Sequence, residues 1–197
     1  YLFGALRVFV DNFFVTIALI TDFGTKDYFV GAMKGAILSI DETAQIVDIT
    51  HEIEPQNIAS ASFTLRACYK NFPKKTIFVA VVDPGVGSNR RAISVETKDY
   101  YFVAPDNGIL SFVFEETEKF NVYELTDQRF FAEEISATFH GRDIFAPVAA
   151  HLSKGVLPNI FGAEIKDFIS VEKDRNNPQI THIDRFGNLI TNLKRED

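Results

Sequence analysis

The sequence predicts an α/β protein: a largely parallel central sheet with flanking helices, followed by the start of a β-barrel domain. Three observations carry that expectation. Two short apolar runs, Thr16 to Thr21 (TIALIT) and Ile77 to Val82 (IFVAVV), have no polar interruption and each stops at an aspartate and a turn. Runs of this kind read as strands covered on both faces, the mark of parallel sheets. Between them lie segments with helical spacing, so strands and helices alternate over residues 15–155.

In chain order, Asp22-Phe23-Gly24 closes the first strand. A helix over about Tyr28 to Ile40 follows, with Val30, Met33, Ile37 and Ile40 on one face. Gln45 to Thr50 is a strand, and the polar stretch His51 to Gln56 leads into a helix over about Asn57 to Phe72. After the strand of Thr76 to Val82, strands are expected at Ala92 to Glu96 and Tyr100 to Ala104. The turn Pro105-Asp106-Asn107-Gly108 opens a short helix, and Asn121 to Thr126 forms a strand. Residues 139–154 begin with polar groups and continue as an amphipathic helix interrupted near Pro147. Residues 156–178 read as a linker. In 179–197, Gln179 to Ile183 and Leu189 to Leu193 flank Asp184-Arg185-Phe186-Gly187-Asn188, a β-hairpin signature. A lone hairpin is not independently stable, so this is expected to be the opening of a larger β domain.

The bulk properties narrow the function classes. The 197-residue chain is 46% hydrophobic and 24% charged, with net charge -7, which argues against nucleic-acid binding. Its single cysteine, Cys68, reads as a small core residue in a helix and requires no oxidising compartment. No apolar run is long enough to span a bilayer. Residues 1–14 are aromatic and apolar but contain Asp11 and lack a basic start, a poor fit to a signal peptide. They read as an extra edge strand or as sequence outside the domain. A cytoplasmic location is expected.

Three polar clusters could carry chemistry. Asp22 and Asp27 follow the first strand. A carboxylate at a strand end can accept both hydroxyl hydrogens of a ribose diol, although helix capping or turn formation explains the pair equally well. Asp83 and Arg90 bracket the turn PGVGSN, so they can share a site, either as a structural ion pair or with Arg90 stabilising an oxyanion or hydroxide. His140 precedes a helix in His140-Gly141-Arg142-Asp143 and could orient or deprotonate a water. His51, His151 and His182 show no partner pattern and are expected to be structural or superficial. A metal site from Asp22, Asp83, His140 and Asp143 is conceivable, but none matches a recognised ligand spacing, so no metal is expected. Walker A, GxGxxG and GxSxG motifs are not present where their chemistry would need them.

The segments ITDFGTKDYFVGAMKG (20–35), VDITHEI (47–53), VAVVDPGVGSNRR (79–91), APDNGIL (104–110), FHGRDIFAPVAAHL (139–152) and IDRFGNLITN (183–192) together resemble the S-adenosyl-L-methionine (SAM) hydrolases. These are also called SAM hydroxide adenosyltransferases and are related to the SAM-dependent chlorinases and fluorinase. The resemblance implies hydrolysis of SAM to adenosine and L-methionine, with no cofactor. It also implies a homotrimer with sites between the α/β domain of one subunit and the β-barrel domain of its neighbour. By the same resemblance, the catalytic Asp-Arg-His triad falls on Asp83, Arg90 and His140. Asp22 would bind the ribose, Asp27 would lie near the methionine end, Asp184 near the methionine amine, and Asn188 would read the adenine edge. Which of Asp83 and His140 acts as base stays open. The alternatives are a halogenase, disfavoured by the triad and by the short stretch after Arg91, and a SAM- or adenosine-binding protein without turnover.

Overall fold

A computed structural model describes residues 15–171 and 178–193; the expectation for residues 1–14 falls outside them. The elements run β1 (Thr16–Thr21), α1 (Phe29–Ile40), β2 (Gln45–Thr50), α2 (Ile58–Cys68), β3 (Ile77–Val81), β4 (Ala92–Thr97), β5 (Tyr101–Pro105), α3 (Ser111–Glu116), β6 (Phe120–Glu124), α4 (Ala146–Ser153), β7 (Ile180–Ile183) and β8 (Leu189–Thr191). The first six strands form one sheet in the order β2-β1-β3-β5-β4-β6. β2, β1, β3 and β5 are parallel, whereas β4 runs antiparallel to both β5 and β6. A two-stranded antiparallel sheet of β7 and β8 stands apart.

The unbroken apolar runs have the physical cause expected of them. Ile17 and Leu19 of β1 and Ile77 and Val79 of β3 face a core shared with α1 and α4. Their alternates Ala18, Ile20, Phe78 and Ala80 face a second core with α2 and α3. With both faces covered, no position in these strands can be polar without losing solvation. The second core is aromatic: Phe78 stacks on Phe102 at 5.2 Å, and Tyr69 meets both edge-on. Glu116 ties α3 to α2 by accepting from Arg66, Tyr69 and Lys70. Burial works against its ionisation, but these donors hold its pKa down at about 2.

One expectation is corrected. Pro147 does not interrupt a helix. A π-helical turn over Gly141–Phe145 comes first, and Pro147 then lies in the first turn of α4, where its missing N–H costs nothing. Nor is α4 amphipathic, since Ala146 to Ala150 and Leu152 are all buried. The stretch read as a linker also packs on the body through residue 171. Glu164 bridges to Tyr123, Phe161 is fully buried, and Asp106 accepts from the Ile169 N–H. Cys68 ends α2 half-buried.

Candidate active site

Asp83 lies just past β3, where the strand's last carbonyls emerge beside the β1 end, the kind of crevice in which parallel sheets hold ligands. The turn that follows brings Arg90 back onto it. The Arg90 guanidinium grips the Asp83 carboxylate in a fork: Nε lies 2.8 Å from Oδ2 and 3.0 Å from Oδ1, and a terminal nitrogen lies 2.5 Å from Oδ2. The two side chains are 5% and 10% exposed, so this is a nearly dry pair rather than a surface contact. The Arg90 guanidinium also lies over the Phe145 ring, 5.2 Å from its centre. Gly87 lets the turn close. Its φ is +77°, and a Cβ there would run into the Ala137 carbonyl oxygen, so the turn lies directly on the segment leading to His140.

His140 completes the chain of contacts. Its Nδ1 lies 2.7 Å from a terminal nitrogen of Arg90. A guanidinium can only donate, so Nδ1 is the acceptor, and the neutral ring carries its proton on Nε2. Burial, and after it the Arg90 charge, push the His140 pKa below its ordinary value, while Asp83 and Asp143 pull the other way. Asp143 does not join Asp83 as a ligand. It is fully buried, accepts from the Ser136 N–H, and pairs with Arg142, bracing the loop ahead of His140. Gly141 is there for space: a Cβ would press at 3.2 Å on both Met33 and the Phe23 ring.

The third expected site residue, Asp22, joins the same cavity. This pocket of about 330 Å³ is lined by Asp22, Asp83 and His140, by the aromatic rings of Phe23, Phe29 and Phe139, and by Gln56 and Thr138 among others. Asp22 Oδ2 accepts a 2.8 Å hydrogen bond from the Gln56 N–H. It is therefore neither a helix cap nor part of the Asp83 pair. A larger open groove of about 830 Å³ lies beside β6 and the end of β4, among Lys75, Lys98, Lys119 and Lys166. It holds none of the convergent groups above, so the smaller cavity is the candidate site.

Three expected residues lie elsewhere. Asp27 is exposed in the turn before α1 and caps nothing; the N-cap position is Tyr28. Asp184 and Asn188 bond to each other in the β7–β8 turn, where Asp184 also accepts from the Phe186 and Asn188 N–H groups. That hairpin is held on α2 through His182, which bonds Ser60 and stacks on Phe63 at 5.1 Å. Sequence reasoning gave no role to the cavity's three phenylalanines or to Gln56. Aromatic residues are ordinary core material by pattern, and a backbone donor leaves no trace in residue type. Among the described residues, no group of three or more His, Cys, Asp or Glu side chains is arranged to hold a metal ion.

Fold and cavity together define an α/β protein with a candidate ligand site at the strand carboxyl ends. Residues 17–162 match the SAM hydroxide adenosyltransferase N-terminal domain, and the chain belongs to that family. It is 40% identical over 193 residues to an (R)-S-adenosyl-L-methionine hydrolase of Methanocaldococcus jannaschii, in an alignment covering 95% of this chain and 70% of that protein. A fluorinase of an Actinoplanes species is 29% identical, covering 92% and 72%. A crystal structure of a Thermotoga maritima protein superposes with a TM-score of 0.84 at 42% identity, over 90% of this chain and 71% of that one.

Proposed function

We propose that the protein hydrolyses SAM to adenosine and L-methionine. The carrying observation is the Asp83–Arg90–His140 chain on the wall of a cavity that also presents Asp22. The oxygen of a water bonds to the ribose 5′ carbon, the carbon–sulfur bond breaks, and its electron pair returns to sulfur as the methionine thioether. A sulfonium leaves without help, so the protein has only to place the water in line and strengthen it as a nucleophile. With Nδ1 taken by Arg90, the Nε2–H of His140 is a donor that can hold the attacking oxygen. The proton released then goes to Asp83, whose carboxylate lies across the same guanidinium. Neither metal nor cofactor enters this scheme, so turnover should survive chelation.

Asp22 binds the ribose hydroxyls in this reading, and Asp27 stands toward the methionine end. Asp184 and Asn188 lie on the hairpin and line no part of this chain's own cavity. We assign them to the site of a neighbouring copy in a homotrimer, which light scattering after size exclusion would test. The hydrolase is preferred to a halogenase for one reason in the alignments. The fluorinase match runs over 215 positions although it takes in only 92% of this chain, so the fluorinase carries residues this protein lacks.

The deciding experiment incubates the protein with each sulfur epimer of SAM, in halide-free and in chloride buffer, and follows products by liquid chromatography with mass detection. Adenosine and methionine in both buffers are expected. 5′-Chloro-5′-deoxyadenosine, or adenosine binding without any turnover, would overturn the reading.

A further inference from the structure

Among the buried polar side chains that this reaction leaves unused is His51. It is 4% exposed, at the end of β2, where an unpartnered imidazole would be costly. Its partners come from two strands. Nδ1 lies 2.8 Å from Thr21 Oγ1, the last residue of β1. Nε2 lies 3.0 Å from Asp48 Oδ1, an oblique approach short of a well-aligned hydrogen bond, while Lys34 holds the other Asp48 oxygen at 2.6 Å. The Thr21 hydroxyl also accepts from the Phe23 N–H at 3.2 Å, so its own hydrogen is available to His51 Nδ1.

These contacts converge on one residue. The Phe23 N–H belongs to the peptide immediately after Asp22. The His51 carbonyl accepts from Gly24 at 2.7 Å, and Gln56, with φ +65°, turns its N–H onto Asp22 Oδ2. The turn bearing Asp22 is thus held at its backbone through His51 and Thr21, and at its carboxylate by Gln56. The Thr21 contact is local to the turn, and the restraints from outside it come from the segment 51–56. Asp22 Oδ1 accepts no hydrogen bond among the described residues, which leaves it open to a ligand in the cavity.

We propose that His51 is a positioning residue for ligand binding, acting through Asp22: it fixes the strand-end turn so that one carboxylate oxygen is spent on Gln56 and the other faces the cavity. This rests on the reading of Asp22 as the group that holds the ribose hydroxyls. The same restraint fits any cis-diol nucleoside, which makes adenosine a sufficient probe without chemistry.

The test is a double-mutant cycle read by adenosine calorimetry. Asp22→Ala is expected to weaken adenosine binding about ten-fold or more, and His51→Ala about five- to ten-fold. In the Asp22→Ala background, His51→Ala should cost less than about two-fold, because its route to the ligand has gone. His51→Gln, which can keep a polar contact to Thr21, should recover most of the loss, and Thr21→Val should reproduce it. The last two variants conserve volume and carry the test if His51→Ala does not fold. An unchanged affinity in His51→Ala and Thr21→Val, or the same factor lost with and without Asp22, would overturn the inference alone. Wild-type affinity in Asp22→Ala, or no adenosine binding by the wild-type protein, would overturn the reading of Asp22 and the inference with it.

Discussion

The ends of β1 and β3 follow the same local rule and reach different chemistry. Both strands are apolar and fully covered, and both stop at an aspartate followed by a residue and a glycine: Asp22-Phe23-Gly24 and Asp83-Pro84-Gly85. Among the described residues Asp22 meets only a backbone N–H and keeps an open oxygen. Asp83 is gripped by a guanidinium that also reaches a histidine. A carboxylate with a neutral donor and free lone pairs is suited to binding, whereas one fixed by a guanidinium beside a histidine is held in place to act on a positioned water. The partner delivered to each aspartate, and not the aspartate itself, divides the labour.

The strongest way to break that division is at the β3 end. Asp83→Ala, Arg90→Ala and His140→Ala should each lower SAM turnover by at least ~10²-fold in single-turnover assays. Arg90→Ala also leaves the Asp83 carboxylate buried and unpaired and should cost about 3 kcal/mol in denaturant unfolding. Arg90→Lys should rescue little, because a lysine cannot reproduce the fork. Full activity in all three alanine variants would remove Asp83, Arg90 and His140 from the chemistry. At the β1 end the loss should appear chiefly in affinity: Asp22→Asn is expected to raise KM for SAM about ten-fold while changing kcat much less. A kcat loss as large as that of Asp83→Ala would erase the distinction between the two ends.

A smaller effect tests how the β3 turn is seated. Gly87→Ala places a Cβ against the Ala137 carbonyl at a left-handed φ. It should cost at least about 1 kcal/mol, which for a chain of this size lowers Tm by about 2–4 °C, and it should slow turnover by shifting His140 relative to Arg90. An unaltered Tm would mean the turn is not packed as described. The smallest effect expected is a titration. Burial and the Arg90 charge disfavour the protonated His140 ring, and burial and Lys154 do the same at His151. The unfolded chain therefore takes up these protons first, and their contribution makes stability fall as pH drops below about 6.5, levelling off once the folded rings titrate. Ring proton resonances should place the His140 midpoint below 6.5, moving upward in Arg90→Ala. A midpoint at or above 6.5 in the wild-type protein would contradict the contact with Arg90.

Much of the fold was legible because its signals are local. β1 and β3 announce themselves by continuous apolar runs, and the β7–β8 turn by Asp184 to Asn188, which the structure bounds at Ile183 and Leu189. The antiparallel course of β4 was not legible, since its apolar face reads alike in either direction. α4 was misread because Pro147 is ambiguous in sequence, compatible with a break or with a first turn. The candidate site was legible as isolated carboxylates, an arginine and a histidine; Asp22, Asp83 and His140 line one cavity, and Arg90 bonds to the last two. Asp27, Asp184 and Asn188 lie outside it, and the aromatic walls had no distinguishing pattern.

By itself, then, the sequence determined the covered strands, the turns that end them, and the placing of Asp22 and Asp83 at those ends. Side-chain period and turn chemistry act over a few residues and need nothing distant. The tertiary structure decided which partner each carboxylate receives: Gln56 from 34 residues away for Asp22, and for Asp83 an arginine whose other contact, His140, lies 50 residues beyond it. Those meetings depend on the order of strands in the sheet and on the packing of the 131–139 loop against a glycine turn. Such contacts form only when the whole chain closes, because each joins segments that lie far apart in sequence.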